Sequence, residues 1–457
     1  MTNEEIYKGL SSDNGLRAHS FMGVIPKESN IQFIQDTIFP ALKNHPDFRL
    51  HNLIVKEINL GESPAILNME WVAKVEYKGI ITEAYFSIGK TSSIGLDKMT
   101  SSHMDNLYII KAFNNPYFLY CRQLFSSEPL DSFLLQLKMM HAIVPQSYLV
   151  MDFSSNRLFS SKWLEMACST NTPPSPRNLY LIQVLNNVDK KGKTRYWLRT
   201  NGLYRCGSPE LEMVNIYSGS KEMSRLLHVT SSLMVQSSYQ ENSVIKVGYD
   251  GLEINLCWIR WEKALKKYSA DAFGGFNYRQ DLKYGYNKYK DPSGVVFAVE
   301  EGIFTSPEIY ISAVKNTPQY TIHPKENMRL RALARERYDY FSRAYQEYNR
   351  PIFEKPRMAS QSNEDTKKWK FLVKLQLQNR NSDPQEMKDQ LWFEVKSMDE
   401  DEIQATLLNK PFWTKSIKQG DTITSSIAEN LVDWTIINPD QTEFSPDNIY
   451  LLTRWRN

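Results

Sequence analysis

Arg199, Asn201, Arg205, Glu210 and Glu212 crowd into one run, Tyr196-Trp-Leu-Arg-Thr-Asn-Gly-Leu-Tyr-Arg-Cys-Gly-Ser-Pro-Glu-Leu-Glu-Met-Val-Asn215. Two guanidinium groups, an amide and two carboxylates can hold an anion or a carboxylate, or they can lock a polar corner through charge pairs. Gly202 and Gly207 permit backbone angles that a side chain forbids, and Pro209 fixes its own φ and restricts Ser208. The run reads as a constrained turn between two strands, a common setting for binding residues. Glu210 and Glu212 are two apart and share one strand face, as do Arg199 and Asn201. Pairing of the two strands sets Arg against Glu. A rigid polar corner is the first expectation for these five residues, and a contact with an anion or carboxylate the second.

Other constellations are weaker. Ala84-x-x-x-x-Gly89-Lys90-Thr91 is a relaxed phosphate-loop pattern, with Tyr148-Leu-Val-Met-Asp152 as an apolar strand whose aspartate could hold magnesium. A working loop needs glycine-rich backbone and a helix start. Here Tyr85, Phe86, Ser87 and Ile88 continue a strand, so a hairpin strand is preferred to a nucleotide site. No two of the seven histidines are three to five residues apart, and no Gly-x-Ser-x-Gly elbow occurs. Cys121 and Cys168 have apolar or aromatic neighbours, and only Cys206, beside Arg205, has an activating one. Trp258–Lys267 mixes aromatics with cations, but inward-packed tryptophans and solvated lysines explain it. Arg329, Arg331, Arg335, Arg337 and Arg343 alternate with acids and read as a salt-laced exposed helix face. No catalytic residue, metal ligand or cofactor is assigned.

Composition narrows the class. The 457 residues exceed what one core usually serves. A net charge of +3 gives no footprint for nucleic acid or anionic membrane. Aromatics at 12% suit β-rich packing. Four dispersed cysteines without Cys-x-x-Cys argue for a reducing compartment. The polar start, Met-Thr-Asn-Glu-Glu-Ile, is unlike a signal peptide, and no apolar run approaches the roughly 20 residues of a membrane helix. A cytoplasmic location is expected.

The elements that must position these residues follow from periodicity. Strands are expected at Phe21–Pro26, Glu70–Tyr77, Ile80–Ile88, Tyr148–Phe153, Leu179–Leu185, Arg195–Arg199, Leu211–Ile216, Val295–Val299 and Ile309–Val314. Helices are expected at Ile31–Leu42, Leu130–His141 (amphipathic), Ser161–Cys168, Ser220–Val235 and Lys325–Tyr348. Ile254–Tyr268 begins as strand and becomes helix, and Ala270–Ser293 is loop. The tail carries strands at Lys370–Leu377, Leu391–Val395, Ile403–Leu408, Asp421–Ile427 and Trp434–Ile437, with a turn at Ser382-Asp383-Pro384. These predict an α+β protein: an N-terminal block 1–145, a second block 146–348, a linker 349–368, and a small β-rich domain 369–457 forming a curled sheet or partly open barrel.

Two resemblances cover most of the chain. The C-terminal block resembles the YegJ-like domains, uncharacterised small bacterial domains, through Phe371-Leu-Val-Lys374, Leu391-Trp392-Phe393-x-Val395, Ala405-x-Leu407-x-Asn409-x-Pro411, Gly420-Asp421 and Asp433-Trp434. That family usually has glycine at the position of Ala405. The preceding region resembles an uncharacterised bacterial N-terminal family with the motif Trp-Leu-His-Thr-His-Gly-Leu-x-Arg-x-Gly-x-Pro-Glu-Leu-Glu. Trp197, Gly202, Leu203, Arg205, Gly207, Pro209, Glu210 and Glu212 match it, but Arg199 and Asn201 replace its two histidines. A guanidinium and an amide do not ligate a metal as imidazoles do. If the family motif is catalytic, this member has lost it; if it is architectural, little has changed. Neither resemblance implies an activity. The sequence thus points to a non-enzymatic bacterial accessory or defence protein with a protein partner, and away from nucleic acid and membrane. A small-ligand-binding protein or an enzyme with a polar pocket around the 196–215 turn is the alternative, and nucleotide binding at 84–91 the third reading.

Overall fold

The computed structural model describes residues 19–57, 69–101, 104, 106–248, 253–279, 292–316, 323–349, 368–377, 389–399, 401–411, 414 and 416–452. The polar lead, the Ser382-Asp383-Pro384 turn and all but the end residues of the 349–368 linker lie outside them. The chain divides into two compact units, one running to His323 without residues 170–172, the other comprising 170–172 and Pro324–Asn457. The architecture is α+β, with three open sheets among the described residues.

The first unit holds two sheets. The larger runs, in spatial order, Arg49–Glu57, Met69–Tyr77, Ile80–Lys90, Tyr117–Leu124, His19–Pro26, Ser147–Asp152, Arg157–Ser160 and Thr100–Ser101. Its Met69–Tyr77/Ile80–Lys90 hairpin turns through Lys78 and Gly79, at φ 48° and 78°, the positive pair that a two-residue hairpin demands. Helix Ile31–Lys43 starts at Asn30, whose side chain accepts from the Gln32 N–H, and buries Ile34, Ile38 and Leu42. Helix Pro129–Ile143 is more enclosed than its amphipathic pattern suggests. Eleven of its 15 residues are buried, Gln136 and Lys138 among them, and Lys138 is paired with Asp47.

The second sheet runs Ile245–Lys246, Asn255–Arg260, Ser293–Glu300, Glu210–Ile216, Thr194–Asn201 and Leu181–Val188. All its neighbours are antiparallel except the 210–216/293–300 pair. Ile309–Val314 is not the expected strand. Ser306 accepts from the Glu308 N–H with Pro307 in the first turn, starting a 3-10 turn that becomes helix Ile311–Asn316.

The second unit is a six-stranded antiparallel sheet in the order Thr422–Ser426, Glu402–Leu407, Gln390–Met398, Lys370–Gln376, Leu431–Ile437, Glu443–Phe444. The expected long helix is two, Pro324–Glu336 and Tyr338–Tyr348. Arg337 breaks it at φ −111°, ψ 14°, its buried side chain donating to the Pro446 carbonyl. The exposed arginine face also needs correction, because Arg329 and Arg337 are both buried. Trp434 anchors this helical layer by donating from Nε1 to the Ala334 carbonyl at 2.9 Å.

Candidate functional site

The 196–215 run joins strands Thr194–Asn201 and Glu210–Ile216 through Gly202, a 3-10 turn Leu203–Cys206, and Gly207. Gly202 has φ 115°, and a Cβ there would lie 2.4 Å from the Leu179 carbonyl oxygen. Only glycine fits. Glu210 folds back to close the bend: one oxygen accepts from the N–H groups of Gly202 (2.7 Å) and Tyr204 (3.1 Å), the other from the Thr200 hydroxyl (2.7 Å). That hydroxyl in turn accepts from the Leu211 N–H. The carboxylate replaces the backbone partners that the turn removes.

Arg205 points inward from the turn. Its two terminal nitrogens reach Asp152 Oδ1 and Oδ2 at 2.9 and 2.6 Å, and they also donate to the Ser20 hydroxyl and the Leu179 carbonyl. Arg205 is 1% exposed and Asp152 0%. The rings of Phe133 and Phe125 flank the guanidinium, their centroids 5.3 and 5.8 Å away. Asp152 further accepts from the Ser154 and Ser155 N–H groups and the Ser155 hydroxyl. Five donors occupy its two oxygens. The aspartate that ends an apolar strand is therefore the counter-ion of Arg205, in a bidentate geometry whose loss would strand a buried charge. Asp152 and Ser20 belong to the first sheet and Arg205 to the turn of the second, so this pair ties the two sheets together.

Glu212 forms a second ionic centre. It is fully buried, directly opposite Arg199 in the strand register. It accepts from Trp197 Nε1 at 2.8 Å and from both terminal nitrogens of Arg279 at 3.2 and 2.6 Å. Burial pushes its carboxyl up, but Arg279 and then Arg199 outweigh that and hold it below the ordinary glutamate value. Arg279 stacks over Trp261 and Trp197. Asn201 is buried too, and its side-chain N–H₂ has no hydrogen-bond partner among the described residues.

Placement of the five sequence candidates is now clear. Arg199 and Glu212 come together, Glu210 serves the bend, Arg205 reaches across to the first sheet, and all five are buried. Sequence reasoning missed Arg279, which sits in the segment read as loop, and missed that Asp152 pairs with Arg205. An aspartate at the end of a wholly apolar strand does demand a cation, and that was the available signal.

The remaining motifs resolve into structure. Residues 84–90 are strand, paired with 117–123 on one side and, up to Phe86, with 71–73 on the other. Their backbone is committed to ladders and forms no phosphate cradle. A Cβ on Gly89 would meet the Phe118 ring at 2.3 Å, so this glycine admits an aromatic ring. Burial pushes the thiols of Cys121 to about 12 and Cys257 to about 11, and that of Cys168 up as well. Among the described residues, no three His, Cys, Asp or Glu side chains are grouped to hold a metal, and no helix is long and apolar enough to cross a membrane.

Comparison with family models supplies the context. Residues 20–174 match the N-terminal model, and 182–297 the C-terminal model, of a protein of unknown function (DUF4026). Residues 326–444 match DUF2314, an uncharacterised protein conserved in bacteria. The chain carries these three domains. No curated protein and no solved structure matches it. Asp152 and Ser20 fall in the DUF4026 N-terminal region and Arg205 in the C-terminal one, so the buried pair binds the two DUF4026 halves to each other.

Proposed function

We propose that this is a non-enzymatic binding protein of the bacterial cytoplasm, an accessory or defence component that docks another protein, with a C-terminal module of YegJ-like type. The observation that carries this reading is helix Asn106–Asn114. It rests on its own sheet through Ile109 and Ala112, while Leu107, Ile110 and Phe113 are 52, 57 and 45% exposed, with Tyr108 beside them. Fully burying one such side chain is worth about 1.5–3 kcal/mol. Several on one short helix make an apolar patch of the kind that marks interaction surfaces. The interior role of the 196–215 run points the same way, since its charges are spent on the fold.

Pulldown from native lysate tests the reading, comparing the wild-type chain with the Ile110→Glu, Phe113→Glu double variant. A partner recovered by the first and depleted at least tenfold by the second is expected. No partner above background, or equal recovery by both, counts against it. A second reading, a small-ligand site in the 196–215 corner, draws on the buried amide of Asn201 and requires a ligand that shifts the melting of wild type but not of Asn201→Ala.

A further inference from the structure

The polar interior beside Arg205 extends further than its ion pair. Ser20 and Gln123 face each other across the antiparallel strands 19–26 and 117–124, and both are completely buried. Gln136, from helix 129–143, lies over the same two strands. Its Nε2 donates to the carbonyls of Ser20 and Cys121, each at 3.3 Å. Among the described residues its Oε1 accepts from none, and neither Oε1 nor Nε2 of Gln123 has a partner. Arg205 reaches the same place, with Nη1 at 3.0 Å from the Ser20 hydroxyl and its Nε–H without a partner among the described residues.

Unmet donors and acceptors therefore meet in one layer around Ser20. Native interiors leave few such groups unsatisfied, and the usual partner is ordered water with two to four hydrogen bonds. The chemistry selects the ligand. Two amide oxygens repel an anion, and the guanidinium repels a metal cation. A small neutral molecule that both donates and accepts satisfies amide and guanidinium together.

We infer that sequestered water occupies the Ser20–Gln123–Gln136 layer and completes the joint between the first sheet and Arg205. The amides then serve as a hydrated extension of the Asp152–Arg205 pair. A high-resolution crystal structure of the full chain, with melting of Gln123→Met and Gln136→Met, tests this. The expected result is water density within hydrogen-bond reach of both amides, and a melting temperature lowered by roughly 2–4 °C in each variant. A dry interior reverses the sign at Gln123, because methionine there removes two unsatisfied atoms while keeping the volume, whereas Gln136→Met also loses the bonds to the Ser20 and Cys121 carbonyls. Absence of water density beside Gln123, or a raised melting temperature in Gln123→Met, overturns the inference.

Discussion

Arg205 in the first unit and Arg329 in the second are both buried arginines with bidentate carboxylate partners, yet they do different work. Arg205 meets Asp152 with neither side chain more than 1% exposed. Arg329 donates to Glu326 and Asp447, whose side chains keep 17 and 27% exposure. The first pair is closed to bulk solvent and depends on its geometry. The second has a donor held inside a ring of half-wet acceptors. Breaking the first strands a charge that bulk solvent cannot reach, whereas breaking the second leaves carboxylates that it can still solvate.

The largest effect expected from this contrast is at Asp152. Asp152→Asn leaves the Arg205 charge buried without its counter-ion and lowers the stability of the first unit by about 3–5 kcal/mol, measurable by denaturant melting. A cost below 1 kcal/mol would place the pair with surface bridges.

The second effect separates the units by pH. Burial lifts the Asp433 carboxyl to about 7, with Asp447 adding to the rise against the Trp434 N–H, Lys374 and Arg329. A carboxyl whose folded pKa is raised binds its proton more tightly when folded. Its stabilisation is complete below the ordinary aspartate value and fades as pH rises toward 7. Glu212 has the opposite sign: its folded pKa is lowered, so its stabilisation is lost only on acidification through and below the ordinary glutamate range. Between pH 4 and 7 the second unit should weaken with rising pH, and Asp433→Asn should flatten that slope. Hydrogen exchange, resolved by unit, reads both.

Arg329→Met comes third, at about 1.5–3 kcal/mol for charge-assisted bonds with partly exposed partners. High salt should shrink this difference and leave the Asp152 effect unchanged, since screening acts on exposed charge. The smallest is Gly202→Ala, at about 1–3 kcal/mol from positive φ and contact with the Leu179 carbonyl. Melting that matches wild type would show that the turn can relax.

The two arginines also mark what was legible in the sequence. Local signals were reliable: the strand runs Glu70–Tyr77 and Ile80–Ile88 met across a two-residue gap, and the Gly202–Pro209 run marked a constrained corner, because the deciding atoms lie within a few residues. Long-range partners left no local trace. Arg329 finds Asp447 118 residues away, so a helix rich in arginine read as an exposed face. Arg205 and Asp152 lie 53 residues apart, and each was noticed for a different reason. Strands Arg49–Glu57 and Tyr117–Leu124 went unassigned. The first is mostly exposed and lacks a clean alternation, and the second, Tyr-Phe-Leu-Tyr-Cys-Arg-Gln-Leu, is an inner strand with no strict polar–apolar alternation. Ile309–Val314 looked like strand from its β-branched residues, but the Ser306-Pro307 start overrode that propensity.

The central claim is that the 196–215 run is architectural and that the Asp152–Arg205 pair holds the two DUF4026 halves together. A double-mutant cycle on Asp152→Asn and Arg205→Met, followed by denaturant melting of the first unit, tests it most directly. The claim predicts strong coupling, with the double variant costing little more than either single one. Additive costs, or single variants that melt like wild type, would contradict it.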